Sequence, residues 1–186
     1  MPLNTIEAIH ARFSCRAFSD KMPSDADLQI IAEAAVAAPS AMNSQLWRVI
    51  VVKNKELLAE LEAEGMKNIA ALPDQSTYER LKSRGGTVYY NAPCQIILPI
   101  AAGKWAEIDC GIIAQNIALA AASLGIDSLI CGLAQFSFAG DKGEYFKKRL
   151  GFPNGYELGL SVLLGYAANP EGKPHELDLN KIIIIE

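Results

Sequence analysis

Two short segments near the start of the chain carry side chains suited to a phosphate and to a polar ring. Residues 12–16 read Arg-Phe-Ser-Cys-Arg, so two guanidinium groups flank the hydroxyl of Ser14. Such groups hold a phosphate by charge-assisted hydrogen bonds. Residues 38–47 read Ala-Pro-Ser-Ala-Met-Asn-Ser-Gln-Leu-Trp, whose amide, hydroxyl and backbone groups suit the edge of a heteroaromatic ring. Together the segments indicate an elongated ligand with an anionic end and a flat polar end.

One predicted helix separates these two segments. A Pro-Ser-Asp sequence at residues 23–25 begins it, and Pro39 ends it after a stripe of apolar residues. An earlier helix begins at Asn4, which has the spacing of a capping box with Glu7, and this helix leads into residues 12–16. Each segment therefore follows the end of a helix.

The rest of the chain divides into predicted strands and helices. Apolar and β-branched runs predict strands over residues 47–53, 92–101, 126–133 and 158–166. Helical periodicity and end signals predict helices after Asn54, over 107–124 and over 141–150. The helix over 107–124 is rich in alanine, so we expect it to be buried on all sides. Residues 65–91 combine glycine and proline with a short helix near 78–82, and we expect them to form a mobile segment that covers the ligand.

Composition and charge narrow the class of protein. A chain of 186 residues with 51% hydrophobic and 20% charged residues predicts one globular domain over residues 1–186. No apolar run reaches the roughly 20 residues that a membrane helix needs, and the first residues lack the layout of a secretory signal, so we expect a cytoplasmic protein without membrane contact. A net charge of -4 argues against a nucleic-acid partner and favours a small ligand.

The four cysteines and two histidines predict neither a metal site nor a disulfide framework. No CxxC pair and no closely spaced histidines occur. Cys94, Cys110 and Cys131 each lie in an apolar stretch, which favours buried packing. A hydrolase that uses Cys131 with His175 is disfavoured, because no activating charge flanks this thiol in the sequence.

The chain ends in four isoleucines, residues 182–185, followed by one glutamate. This run predicts a strand that is apolar on both faces, and such a strand promotes aggregation if it stays unpaired. Two positions remain open for it: the sheet edge of a partner chain, or packing within its own monomer.

Four motifs, in this order, resemble the nitroreductase family of flavin mononucleotide (FMN) enzymes. They are RxSxR at residues 12–16, APSAMNSQLW at 38–47, AEIDCGIIAQNIALAAASLG at 106–125, and GYAA followed by KPH within 165–175. The resemblance extends over nearly the whole chain. It implies an α+β fold with a mixed central sheet wrapped by helices. It also implies an intertwined homodimer that exchanges its carboxy-terminal strands and holds FMN at the subunit interface.

The resemblance implies which residues hold the phosphate and the ribityl chain of FMN. They are Arg12, Ser14 and Arg16 in the first segment, joined by the late basic pair Lys173 and His175. The family more often has arginine where His175 stands. We therefore expect the affinity for FMN to fall above neutral pH, as the imidazole loses its proton.

The second segment is implied to meet the ring. Pro39, Ser40 and Asn43 match the turn that approaches the ring from the opposite subunit. Gln45 either reaches the flavin edge or ties the turn to Trp47, and both alternatives remain open. Trp47 itself is expected to pack in the core or at an interface.

A later strand end is implied to lie over one face of the ring. It comprises Ile130, Cys131 and Gly132, and a glycine there lets the backbone approach the ring closely. Two departures from the family pattern accompany these matches. Leu46 stands where the family commonly has proline, and Cys131 stands where some relatives carry glutamate.

The implied activity is an oxidoreduction in which flavin N5 is the reactive centre and no side chain is catalytic. NADH or NADPH reduces FMN by hydride transfer to N5, and an electrophilic acceptor such as a nitroaromatic or a quinone follows in a ping-pong sequence. The alternative is a noncatalytic protein that stores or senses FMN. Bleaching of the flavin by NADH or NADPH distinguishes the two.

Overall fold

The computed structural model of the chain describes residues 2–169 and 172–186. Within them lie seven α-helices: α1 (Thr5–Ala11), α2 (Asp25–Val36), α3 (Lys55–Ala70), α4 (Ser76–Ser83), α5 (Ala106–Ser123), α6 (Gln135–Phe138) and α7 (Gly143–Leu150). Four strands accompany them: β1 (Ile50–Val52), β2 (Cys94–Ala101), β3 (Asp127–Cys131) and β4 (Tyr156–Gly165). The predicted α+β class is confirmed.

The four strands form one sheet in the order β1-β2-β4-β3, and each neighbouring pair is antiparallel. The resemblance implied a mixed sheet, but in the described residues the parallel pairing is one isolated bridge, between Ser14 and Ser128. The N–H of Cys15 donates to the carbonyl of Ser128 at 3.0 Å. Residues 12–16 therefore run beside β3.

Both faces of the sheet are covered by helices. Ile96 of β2 belongs to an apolar cluster with residues of α2 and α5, whereas Ile97 belongs to a second cluster with residues of α3, α4 and α7. Alternate residues of β4 divide in the same way, with Val162 on the first face and Leu163 on the second. Burial on both faces explains why these strands are apolar without alternation.

Helix starts that the sequence predicts are confirmed. The side chain of Asn4 accepts the N–H of Glu7 at 3.0 Å, and the Glu7 carboxylate accepts the N–H of Asn4 at 2.8 Å, which completes the capping box. Ser24 caps α2 and Asn54 caps α3 through side-chain oxygens. The predicted short helix near residues 78–82 is α4.

Three predicted elements differ in the structure. The strand over 47–53 is shortened to β1, because Trp47 makes only an isolated bridge to Ile100. The strand over 126–133 ends at Cys131, where the chain enters a helical turn that leads into α6. Residues 182–185 form no strand within the chain.

The long helix α5 is not buried on all sides within the chain. Ile113 and Ile117 are fully buried, but Ile108 is 57% exposed and Ile112 is 36% exposed. An alanine-rich composition does not show which face of a helix meets its own core and which face is left for another surface.

A strained turn follows α2. Met42, Asn43 and Gln45 all have positive φ, between 48° and 54°, a conformation that costs on the order of 1–3 kcal/mol for each residue other than glycine. Met42 is 97% exposed, so the turn projects from the surface. The turn is held from within, because the N–H of Ala41 donates to Oδ1 of Asp109 at 3.1 Å.

Asp109 lies in the first turn of α5, where a negative charge is favourable, and it also holds the strained turn. Its side chain is buried, and its Oδ2 has no hydrogen-bond partner among the described residues. Burial of a carboxylate oxygen without a hydrogen-bond partner costs free energy. The hydrogen bond that the other oxygen accepts from Ala41 offsets part of this cost. Asp109 links the strained turn to α5.

We predict that two substitutions of Asp109 change the free energy of unfolding differently. Asp109→Ala removes the acceptor of the Ala41 N–H and lowers the free energy of unfolding by about 1–3 kcal/mol. Asp109→Asn keeps an acceptor oxygen and removes the buried charge, so its stability equals or exceeds that of the parent. Urea denaturation at one protein concentration measures both. Equal stability of Asp109→Ala and the parent contradicts the role given to this contact.

Candidate functional site

Arg12 lines a cavity at one end of β3. This Arg12 cavity has a volume of about 130 Å³ and is lined by Arg12, Phe13, Asp127 and Ser128 among others. The Nε of Arg12 is buried and has no acceptor among the described residues. A buried guanidinium nitrogen without a partner is an unmet donor, and an anionic oxygen entering the cavity would satisfy it.

The late basic pair begins beside this cavity. Gly172 passes so close to the ring of Phe13 that an added Cβ would lie 2.1 Å from a ring carbon. Phe13 lines the Arg12 cavity. The backbone that leads into Lys173 therefore passes close to this cavity. Lys173 and His175 are both exposed.

A second cavity lies at the other end of β3. This Arg16 cavity has a volume of about 210 Å³, and its lining is Arg16, Arg80, Arg84, Tyr90 and the continuous run 129–133. The run contains the predicted site residues Ile130, Cys131 and Gly132. A Cβ added to Gly132 would have no atom within 4 Å, so the space beside its backbone is open.

Arg12 and Arg16 line different cavities. The resemblance assigned both to the phosphate and ribityl chain, but the structure separates them into two cavities. Residues 126–128 line the Arg12 cavity and the next residues, 129–133, line the Arg16 cavity, so the two cavities follow one another along β3. The two cavities thus mark the ends of one elongated path along β3.

Sequence reasoning missed Arg80, Arg84 and Tyr90 as cavity residues. The available signal was the pair of arginines four residues apart near the predicted short helix, since that spacing puts both on one helix face. The segment containing them was predicted to cover the ligand, and α4 with the residues up to Tyr90 does form one wall of the Arg16 cavity.

The turn with Pro39, Ser40, Asn43 and Gln45 lines neither cavity. The last residue of β3 pairs with Ser161, whereas the bridge of Trp47, just after the turn, is level with residue 157 of β4. The turn is thus displaced by roughly 13 Å along the strands and, across three strand spacings, by roughly 14 Å. Within one chain, the turn does not reach the Arg16 cavity.

Hydrogen bonds inside the turn account for Gln45. Its backbone N–H donates to Oγ of Ser40 at 3.1 Å, and its amide nitrogen donates to Oδ1 of Asn43 at 2.7 Å. The side chain of Gln45 thus bonds to Asn43 within the turn, while Trp47 is buried in the core. The polar groups of Asn43 and Gln45 are held together on an exposed surface.

The thiol of Cys131 is buried at the Arg16 cavity and unsuited to nucleophilic catalysis. Its Sγ contacts the carbonyl of Val88 at 3.6 Å. Burial raises the pKa of the Cys131 thiol to about 11, although the backbone N–H groups of Ala134 and Leu133 act in the opposite direction. A reactive cysteine needs the opposite shift. The geometry therefore gives no support to a cysteine hydrolase.

Burial also characterises the other cysteines. It raises the pKa of Cys94 to about 12 and that of Cys110 to about 11. The buried packing predicted for these thiols is confirmed.

Over residues 2–169 and 172–186, no group of three or more His, Cys, Asp or Glu side chains is arranged to hold a metal ion. In the same residues, no helix has the length and hydropathy to cross a membrane.

Comparison with solved structures gives close matches along the full chain. A nitroreductase with bound FMN from Desulfitobacterium hafniense is 53% identical, with all of both chains covered and a TM-score of 0.95. A nitroreductase with bound FMN from Bacteroides fragilis is 31% identical, with 99% of this chain and 100% of that chain covered and a TM-score of 0.90.

Sequence comparison agrees. A relative from Archaeoglobus fulgidus, provisionally named NADH dehydrogenase/NAD(P)H nitroreductase, is 32% identical over 161 residues, which are 87% of this chain and 84% of the relative. The model of the Nitroreductase family matches residues 9–166, a range that contains both cavities and the strained turn. The chain belongs to the nitroreductase family.

Proposed function

We propose that the protein is an oxidoreductase that binds FMN along β3 and uses NADH or NADPH to reduce it. The observation that carries this proposal is the pair of arginine-lined cavities at the two ends of β3. A cofactor with a phosphate at one end and a flat ring at the other matches them in chemistry and in elongated form. The FMN bound in two related nitroreductase structures supports FMN as that cofactor.

The phosphate end of FMN is assigned to the Arg12 cavity. A phosphate oxygen supplies the acceptor that the buried Nε of Arg12 lacks among the described residues. The hydroxyl of Ser14, two residues along the same segment, is assigned a neutral contact with the cofactor, and the exposed side chains of Lys173 and His175 are assigned further contacts with the phosphate. Asp127 carries the opposite charge, but its carboxylate already accepts a backbone N–H at 2.7 Å.

The ring end is assigned to the Arg16 cavity. Strand pairing stops at Cys131, so the backbone of Gly132 lies beyond the ladder, and the open space beside it accommodates a flat ring. Ile130 is 38% exposed and offers an apolar contact. Arg16 can face the polar edge of the ring, where its charge stabilises the electron density that the ring gains on reduction.

Bound FMN supplies the redox chemistry, because its N5 takes a hydride from the dihydronicotinamide and the electrons then pass to an acceptor such as a nitroaromatic or a quinone. The protein binds and orients the ring and leaves one face open for the two substrates in turn, which is a ping-pong sequence. No side-chain nucleophile is required, in agreement with the buried thiol of Cys131.

The functional unit is proposed to be a homodimer that exchanges its carboxy-terminal segments. The side chains of residues 182–185 are 64–91% exposed within the chain. In the described residues β1 pairs with β2 alone, which leaves its outer edge open to another strand. The exposed isoleucines of α5 offer a further apolar surface for the partner.

The dimer also explains the strained turn. Ser40, Asn43 and Gln45 are too far from the Arg16 cavity of their own chain to meet a ring there, yet Asn43 and Gln45 are exposed on the surface. Presented to a second subunit, they can contact the ring from the opposite side. Each site then combines the β3 cavities of one chain with the turn of the other.

We predict that the purified protein is yellow and releases FMN on denaturation. Under anaerobic conditions, NADH or NADPH bleaches the flavin absorbance in a stopped-flow experiment, and a nitroaromatic or a quinone restores it. Failure of both nucleotides to bleach a bound flavin favours the storage or sensing alternative. A colourless protein that does not take up added FMN refutes the proposal.

A mixed dimer tests the shared site. We predict that Arg12→Ala and Asn43→Ala each lose FMN as homodimers, whereas a heterodimer of the two, isolated with different affinity tags, regains about half of the parent's FMN per chain. One of its two sites then combines an intact cavity with an intact turn.

The matched control is a heterodimer of Arg12→Ala with Ser14→Ala. Both substitutions then fall in the segment 12–16 that is proposed to hold the phosphate, so neither site is intact and FMN stays low. Equal FMN content in the two heterodimers contradicts a site shared between subunits.

A further inference from the structure

The Arg16 cavity carries more positive charge than a flavin ring requires. Three guanidinium groups line it, and no acidic residue is among the lining residues. The chain as a whole has a net charge of -4, so this concentration of positive charge is local. None of the three arginines forms an ion pair within 4.0 Å among the described residues.

The local backbone directs two of these arginines to the cavity. Arg80 lies on α4 and Arg84 follows at its carboxyl end, and a spacing of four residues aligns them on one helix face. Gly85 and Gly86 then adopt φ values of +86° and +84°, which turn the chain back so that Tyr90 meets the same cavity.

A neighbouring lysine shows that this orientation is selective. Lys82 stands between the two arginines in the sequence, but its Nζ lies 4.9 Å from the centre of the Tyr78 ring. Lys82 is not a lining residue of the Arg16 cavity. The positive charge of α4 is thus divided between two faces, and only the arginine face meets the cavity.

FMN as assigned above leaves Arg80 and Arg84 without a counter-charge. Its phosphate is assigned to Arg12, in the other cavity along β3. Its ring is neutral when oxidised and gains about one negative charge on reduction, which Arg16 can stabilise. Two guanidinium groups therefore remain for a charge that arrives with a substrate.

We infer that Arg80 and Arg84 bind an oxyanion of the substrate that reacts at the ring. This inference rests on the proposed function. Guanidinium groups bind phosphate and carboxylate oxygens by paired hydrogen bonds, so two sources share the required chemistry: the phosphates of NADH or NADPH, and a carboxylate on the electron acceptor. Anchoring that group fixes the orientation of the substrate above the ring.

The test uses Arg80→Gln, Arg84→Gln and the double variant, each loaded with FMN. Arg84→Lys retains the charge but not the planar pair of donors. Lys82→Gln is the matched control, because it removes one positive charge from the same helix outside the cavity. FMN content is measured for every variant, so loss of cofactor is recognised separately.

In the reductive arm, anaerobic stopped-flow measures the dissociation constant for NADH and for the uncharged donor N-benzyl-1,4-dihydronicotinamide. If the dinucleotide phosphates are the ligand, each arginine variant raises the constant for NADH about tenfold, and the constant for the neutral donor stays the same. Lys82→Gln leaves both constants unchanged.

In the oxidative arm, the KM for 4-nitrobenzoate is compared with that for 4-nitrobenzamide. If the acceptor carboxylate is the ligand, the arginine variants raise the KM for the benzoate alone, again by about tenfold. Added NaCl weakens the preference in the parent protein, because salt screens exposed charges.

A selective effect in either arm supports the inference and identifies the source of the oxyanion. Equal effects on charged and neutral substrates in both arms overturn it, as does an effect of Lys82→Gln as large as that of Arg84→Gln. Failure of every donor to bleach a bound flavin, or a protein without flavin, refutes the proposed function itself and this inference with it.

Discussion

The pairing of Ser14 with Ser128 fixes the geometry on which both cavities depend. It holds residues 12–16 along β3, with the N–H of Cys15 donating to the Ser128 carbonyl at 3.0 Å. β3 is held in turn by β4 and by apolar layers on both faces of the sheet. A shift of this segment would break hydrogen bonds in a close-packed interior. Arg12 and Arg16 are therefore kept at opposite ends of one path.

A second constraint acts on the turn after α2. Positive φ at Met42, Asn43 and Gln45 is unfavourable, and it persists where surrounding contacts determine it. The hydrogen bond from Ala41 to the buried Asp109 provides such a contact, and it ties the turn to the helix whose outer isoleucines are exposed. One helix thus supports both the turn and the apolar surface that are proposed to meet the partner subunit.

Local features of the fold were predictable because they depend on neighbouring residues. The capping box at Asn4 and the burial of Cys131 are examples. Contacts between distant residues were not predictable, since Asp109 holds Ala41 across 68 positions and Arg80 meets β3 only after folding. Family resemblance supplied the predicted site residues, but the sequence does not reveal that Arg12 and Arg16 line different cavities along β3.

A crystal structure of the protein with FMN bound tests the central claim most directly, namely that one cofactor spans both cavities along β3. The predicted result has the FMN phosphate against the guanidinium of Arg12, the ring beside Gly132, and Asn43 of the second subunit at the ring edge. A phosphate found between Arg16, Arg80 and Arg84 would reverse the cofactor and contradict the claim.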